Sequence, residues 1–139
     1  MERNVFRGLL AGVGVLLLAM PVWAHHSFAA AFDPDKPVSV KGVLTEVRLE
    51  NPHSWFYIDV TDASGKVVRW GFEASTPTSL IRSGYKPDSL KIGEEVTIKG
   101  SHARDPNVNV GAAREIVRAS DGKSFIVGPK GSEAAGLGQ

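Results

Sequence analysis

Apolar and polar residues alternate over several short runs of this chain, and the phase of each run tells which side chains face inward. From Trp55 to Thr61, Phe56, Ile58 and Val60 share one parity while Trp55, Tyr57 and Asp59 share the other, the pattern of a strand with one buried face. Lys66 to Glu73 repeats it, with Val68, Trp70 and Phe72 inward. Between the two runs Asp62-Ala63-Ser64-Gly65 predicts a short hairpin turn, with Gly where positive φ is wanted. Val38 to Leu49 also alternates, but Val38 and Val40 are even while Val43, Val47 and Leu49 are odd. The change falls at Lys41-Gly42, and a glycine at a phase slip predicts a β-bulge that bends the strand and gives its two halves different partners. These runs predict a three-stranded meander.

Beyond the meander, Ser75-Thr76-Pro77 is a helix start, a hydroxyl cap followed by proline at the first helical position, and Gly84 is a stop. A helix of about two turns cannot stand alone, so Leu80 and Ile81 are expected to dock on the body. Strand four follows with Val96, Ile98 and Gly100 inward, then a polar connection from Arg104 to Gly111, strand five from Ala112 to Arg118, a turn at Asp121-Gly122 and a last strand from Phe125 to Val127. From Gly128 onward glycine and alanine accumulate without period, and a loose tail is expected over 128–139. Ahead of the body, Asp33-Pro34-Asp35-Lys36-Pro37 predicts a turn. Three meandering strands, a helix, then two or three more strands is the order of an OB-fold. The expectation is therefore an all-β fold with one short helix, a five- to six-stranded OB-fold-like Greek-key barrel over 38–127.

The N-terminus reads differently. Arg3 and Arg7 precede an uncharged, mostly apolar run from Gly8 to Met20, and Val22-Trp23-Ala24 places small residues three and one before a cut. Residues 1–24 are expected to be a secretory signal removed on export, which points to a periplasmic or secreted protein with no stable membrane insertion after cleavage. Gly8 to Ala24 is 17 residues long, short of the roughly 20 a spanning helix needs. Removing 24 of 139 residues leaves 115, and taking Glu2, Arg3 and Arg7 out of 16 basic and 15 acidic residues leaves 14 of each. A chain with no basic surplus and an export signal is not expected to bind nucleic acid. There is no cysteine, so neither a disulfide nor a lipidated cysteine contributes.

Candidate chemistry is concentrated in two places. The mature chain would open on His25-His26, heading a segment over 25–37, and a histidine at a free N-terminus offers one metal both its amine and its ring nitrogen. His53, set after Asn51-Pro52 where proline restricts the corner, could complete a nitrogen set with His25 and His26 that suits Cu(II). The competing role for His53 is a corner residue bonding backbone. The second candidate is the outer parity of strand two, where Trp55 and Tyr57 could stack a peptide, a glycan or a partner protein, as OB-folds commonly bind ligands across strands two and three. There the competing role is packing beneath Phe28 and Phe32 or across strands. Arg69, Glu73, Arg104 and Asp105 read most simply as solvated charges. No Ser or Cys is paired with a base by spacing, so a binding protein is expected rather than an enzyme.

His25-His26-Ser27-Phe28-Ala29 with Phe32-Asp33, Asn51-Pro52-His53, Trp70 with Glu73, Leu80 to Tyr85, Leu90 to Val96, Ala103-Arg104-Asp105 and Asp121-Gly122 resemble an uncharacterised group of small exported proteobacterial proteins, a domain of unknown function. The resemblance implies a secreted or periplasmic small β-barrel and carries no activity, substrate or cofactor. Members usually have Trp shortly before Asn-Pro-His, where this chain has Leu49-Glu50, and Asp-Gly where it has Asp105-Pro106. His102 does not match a family position.

Overall fold

The structure, a computed structural model, describes residues 30–129. The expected signal sequence, His25, His26, Phe28 and all but the first two residues of the expected tail lie outside them. The elements are β1 (Phe32–Arg48), β2 (Trp55–Thr61), β3 (Val67–Glu73), α1 (Pro77–Arg82), β4 (Glu95–Ala103), β5 (Val110–Arg118) and β6 (Ser124–Ile126). The fold is all-β with a short helix. The strands run β3-β2-β1-β4-β5-β6 in one sheet, and β3 additionally pairs with β5, in parallel, through Gly71↔Val110, Phe72↔Gly111 and Glu73↔Ala112. Every other pairing is antiparallel.

β1 begins earlier than its sequence suggests. The turn expected over Asp33–Pro37 is instead strand, with a register irregularity between Phe32 and Pro37 where it runs along β4. Pro34 and Pro37 have no N–H to give to the ladder, so an irregular strand end suits them. The two halves of β1 do take different partners: Pro37 to Val43 pairs with β4, and Val43 to Arg48 with β2. The slip that allows this lies between Leu44 and Glu46, not at Lys41-Gly42. Val43, grouped by odd parity with Val47 and Leu49, is exposed while Leu44 is wholly buried, because the even phase persists to Leu44 and breaks only at Thr45. Gly42 serves another purpose. A Cβ there would stand 2.6 Å from the Asp59 carbonyl oxygen, so β1 and β2 can cross this closely only without one.

The core lies on the inner parity of these strands: Leu44, Phe56, Ile58, Phe72, Val96, Ile98 and Ile116 are wholly buried. Trp70, on the same parity, is half-buried and stacks on Phe72 with centroids 5.7 Å apart. Helix α1 is capped by Thr76, whose side chain accepts from the Ser79 N–H, and has Pro77 at its start. It ends at Gly84, whose φ of +90° lets Tyr85 N–H bond back to the Leu80 carbonyl at 3.0 Å. Of the two residues expected to dock, only Leu80 does; Ile81 is 60% exposed. Neighbours on a helix are about 100° apart, so one turn buries one of them, and Tyr85 takes the second contact from beyond the helix. Its ring meets Phe56 and Phe125 edge-on at 5.7 and 5.9 Å, and burial together with nearby Asp88 pushes its hydroxyl up to about 12. Gly128, expected to begin the tail, is buried and donates to the Arg114 carbonyl at 3.1 Å. Among the described residues no helix is long and apolar enough to cross a membrane.

Candidate functional site

Side chains at 55, 57 and 59 on β2 and at 69, 71 and 73 on β3 face away from the core, paired as Trp55↔Glu73, Tyr57↔Gly71 and Asp59↔Arg69. Gly71 is the low point of this outer face. With no side chain of its own, it lets the rings of Tyr57 and Trp55 lean over it: a Cβ would stand 3.1 Å from Tyr57 Cε1 and 3.7 Å from Trp55 Cζ3. The two rings are nearly parallel, 17° apart with centroids separated by 6.0 Å. Beyond Gly71 the wall is made by Val108, Asn109 and Val110, held in place because the Gly71 N–H donates to the Asn109 carbonyl at 3.0 Å. The result is an open groove of about 470 Å³ lined by Trp55, Tyr57, Arg69, Gly71 and residues 108–110.

One end of the groove is charged. The Arg69 guanidinium lies 4.6 Å from the centre of the Tyr57 ring and that of Arg48, on β1, 5.1 Å from it. Both are tied to one carboxylate: Glu46 accepts from Arg48 Nε on one oxygen and from Arg69 on the other. The two cations hold the Glu46 carboxyl below its usual range, Arg48 contributing most. The bulge at Thr45 puts Glu46 opposite Tyr57 and so aims it at this face.

The other end is the corner. The Asn51–Pro52 peptide is cis, and Ser54 continues the β2–β3 ladder past the strands, its N–H donating to the Ser75 carbonyl at 3.1 Å and its carbonyl accepting from Ala74 at 2.8 Å. That pairing seats His53 beside Glu73, with Nδ1 in contact with Glu73 Oε1. Glu73 is only 14% exposed; burial raises its pKa, and the imidazole pulls it partly back. Ser54 is wholly buried, and its hydroxyl has no hydrogen-bond partner among the described residues.

The sequence-predicted residues therefore divide. Trp55 and Tyr57 share one groove. His53 sits beside Glu73, while His25 and His26, its expected fellow ligands, are outside the described residues. His102 is elsewhere, donating from Nδ1 to the Ala103 carbonyl at 2.7 Å with its ring edge-on to Trp70. Among the described residues no three His, Cys, Asp or Glu are placed to hold a metal ion. Residues 13–112 match a family of unknown function, DUF6152. The chain belongs to that family. No curated protein and no solved structure matches it. The DUF6152 match takes in every residue lining the groove and both residues of the His53–Glu73 pair, and it ends within β5. Sequence reasoning missed Arg48, Glu46, Arg69 and Gly71. Of these only Gly71 carried a signal, since a glycine inside an aromatic strand marks a close approach.

Proposed function

We propose that this DUF6152 protein is a small exported binding module, an OB-type Greek-key β-barrel whose groove over Gly71 holds a ligand against Trp55 and Tyr57. The circuit of pairings supports the barrel, because β1–β2–β3–β5–β4–β1 returns to its start and leaves β6 as an addition on β5. The observation that carries the binding reading is the groove itself: two parallel aromatic rings and an arginine converge on a glycine floor. Aromatic side chains gain most by burying their faces, yet these two stay half-buried. Export and periplasmic location rest on the pattern of residues 1–24. The test is chemical-shift mapping of the exported chain against a library of small ligands. Shifts clustered at Trp55, Tyr57, Gly71 and Asn109 are expected, and ligand shifts confined to other surfaces would remove this reading.

A second reading keeps copper. Metal-bound histidines commonly donate their other ring nitrogen to a carboxylate, which fixes the tautomer and aims the ring, and Glu73 stands in that relation to His53. With His25 and His26 at a free N-terminus, His53 would make binding depend on the fold. Cu(II) should then raise the melting temperature of the chain beginning at His25 and lose most of that effect in His53→Ala. Equal copper affinity in both would show that the histidines form no common site.

A further inference from the structure

Resting on the groove reading above, we propose that its ligand is an anionic carbohydrate, a chain of sugars carrying uronate carboxylates, and that Arg69 receives the carboxylate. Three features lead there. The first is donor capacity. A guanidinium carries five N–H donors in a planar fork, and Arg48 and Arg69 each commit one nitrogen to Glu46, which is the only carboxylate in ion-pair contact with either among the described residues. Arg69 is half exposed at the groove mouth, its position set by Glu46 and by the Tyr57 ring. A preset fork with unused donors beside an aromatic surface recognises a planar carboxylate attached to an apolar face.

The second feature bears on peptides. Strand addition requires a free backbone edge. β2 is paired on one side by β1 and on the other by β3, and Gly71 to Glu73 lie between β2 and β5, so of β3 only Val67 to Trp70 have a strand on one side alone. Over the Gly71 floor, recognition is left to side chains and rings. The third is shape. The groove is open to solvent, whereas small apolar ligands are held in clefts that enclose most of their surface. A sugar needs less enclosure: the C–H face of a pyranose stacks on Trp55 or Tyr57, its hydroxyls stay hydrated or meet Asn109, and its carboxylate meets Arg69.

The experiment is calorimetric titration of the whole exported chain with an oligogalacturonate, with the matching neutral galacto-oligosaccharide and with a proline-rich peptide. The oligogalacturonate should bind, and more weakly as salt is raised. Arg69→Gln should weaken it about tenfold or more, the loss of a charge-assisted bidentate contact, and should leave any weak neutral-sugar binding as it was. Trp55→Ala should abolish both. Uronate and neutral sugar binding equally, or uronate binding unchanged in Arg69→Gln, would overturn the carboxylate assignment. If only the peptide binds, and does so through Trp55, the carbohydrate proposal falls and the groove reading stands. If no heat depends on Trp55, both fall.

Discussion

The two faces of β2 and β3 are built from the same 14 residues and serve different ends. On the inner face Phe56, Ile58 and Phe72 are wholly buried within one apolar cluster. On the outer face Trp55, Tyr57, Arg69 and Glu73 are large or charged, none wholly buried, and arranged around a glycine. Burial of apolar area explains the first set completely. It does not explain the second, because a strand needing only a solvated face would be served by threonine and lysine, without two rings, an arginine held over one of them and a largely buried glutamate. The inner face holds the fold and the outer face spends its composition on something else.

If that division is right, substitutions on the two faces should differ in kind. The largest stability loss is expected from Phe72→Ala, about 3 to 5 kcal/mol, because the ring is wholly buried and stacked against Trp70. Trp70→Ala should cost less, about 2 to 3 kcal/mol, since that ring is half-buried though in contact with Phe72 and His102. Urea denaturation of both would check the order. A larger loss at Trp70 would place the centre of the core nearer β4 than the burial suggests.

The inner face is also the part that was legible. Strict alternation fixed β2 to the residue, and the hydroxyl–proline start and glycine stop located α1, because each signal depends on local stereochemistry alone. Two misreadings share one cause. Odd parity groups Val43 with Val47 and Leu49, and helical spacing docks Ile81 beside Leu80, yet both are exposed, because parity and helical phase assign faces only while the backbone stays regular. A bulge at Thr45 and a six-residue helix ended by Gly84 both break that regularity. On the outer face, alternation puts Trp55 and Tyr57 on the polar parity, and their rings do lie there, over Gly71. Arg69 and Glu73 were set aside as solvated charges, since nothing local to Arg69 reveals that Glu46, 23 residues away, will hold it over Tyr57. Partnership across strands is a property of register, which one sequence does not print.

A sharper form of the comparison is to remove an outer ring. Trp55→Ala should lower stability by only about 1 kcal/mol, because a half-buried ring gives up less area and leaves no enclosed cavity. The same variant should lose the ligand-induced shifts at Tyr57 and Gly71. A stability loss as large as that of Phe72→Ala would mean that Trp55 belongs to the core after all and that the groove is a packing defect.

The smallest expected effect is the most specific to this face. Burial raises the pKa of Glu73 above the ordinary 4.5, and the imidazole of His53 offsets only part of that. The folded state therefore holds this proton more tightly than the unfolded chain does. Its contribution to stability is complete below about pH 4.5, the unfolded value, and is lost as pH rises through the higher folded value. Glu73→Gln has no proton to lose and keeps an amide oxygen that can accept from His53 Nδ1. Relative to wild type, then, the variant should gain stability as pH is raised from 4 towards 6, by a small amount because the imidazole offsets part of the burial effect. Chemical denaturation at matched ionic strength would measure it. If the difference between the two proteins stays flat across that range, the His53 contact fully compensates for burial and Glu73 is an ordinary ion-pair partner. If it runs the other way, with wild type gaining as pH rises, the carboxylate is the form that the corner was built to hold, as an imidazole-orienting role at a metal would require.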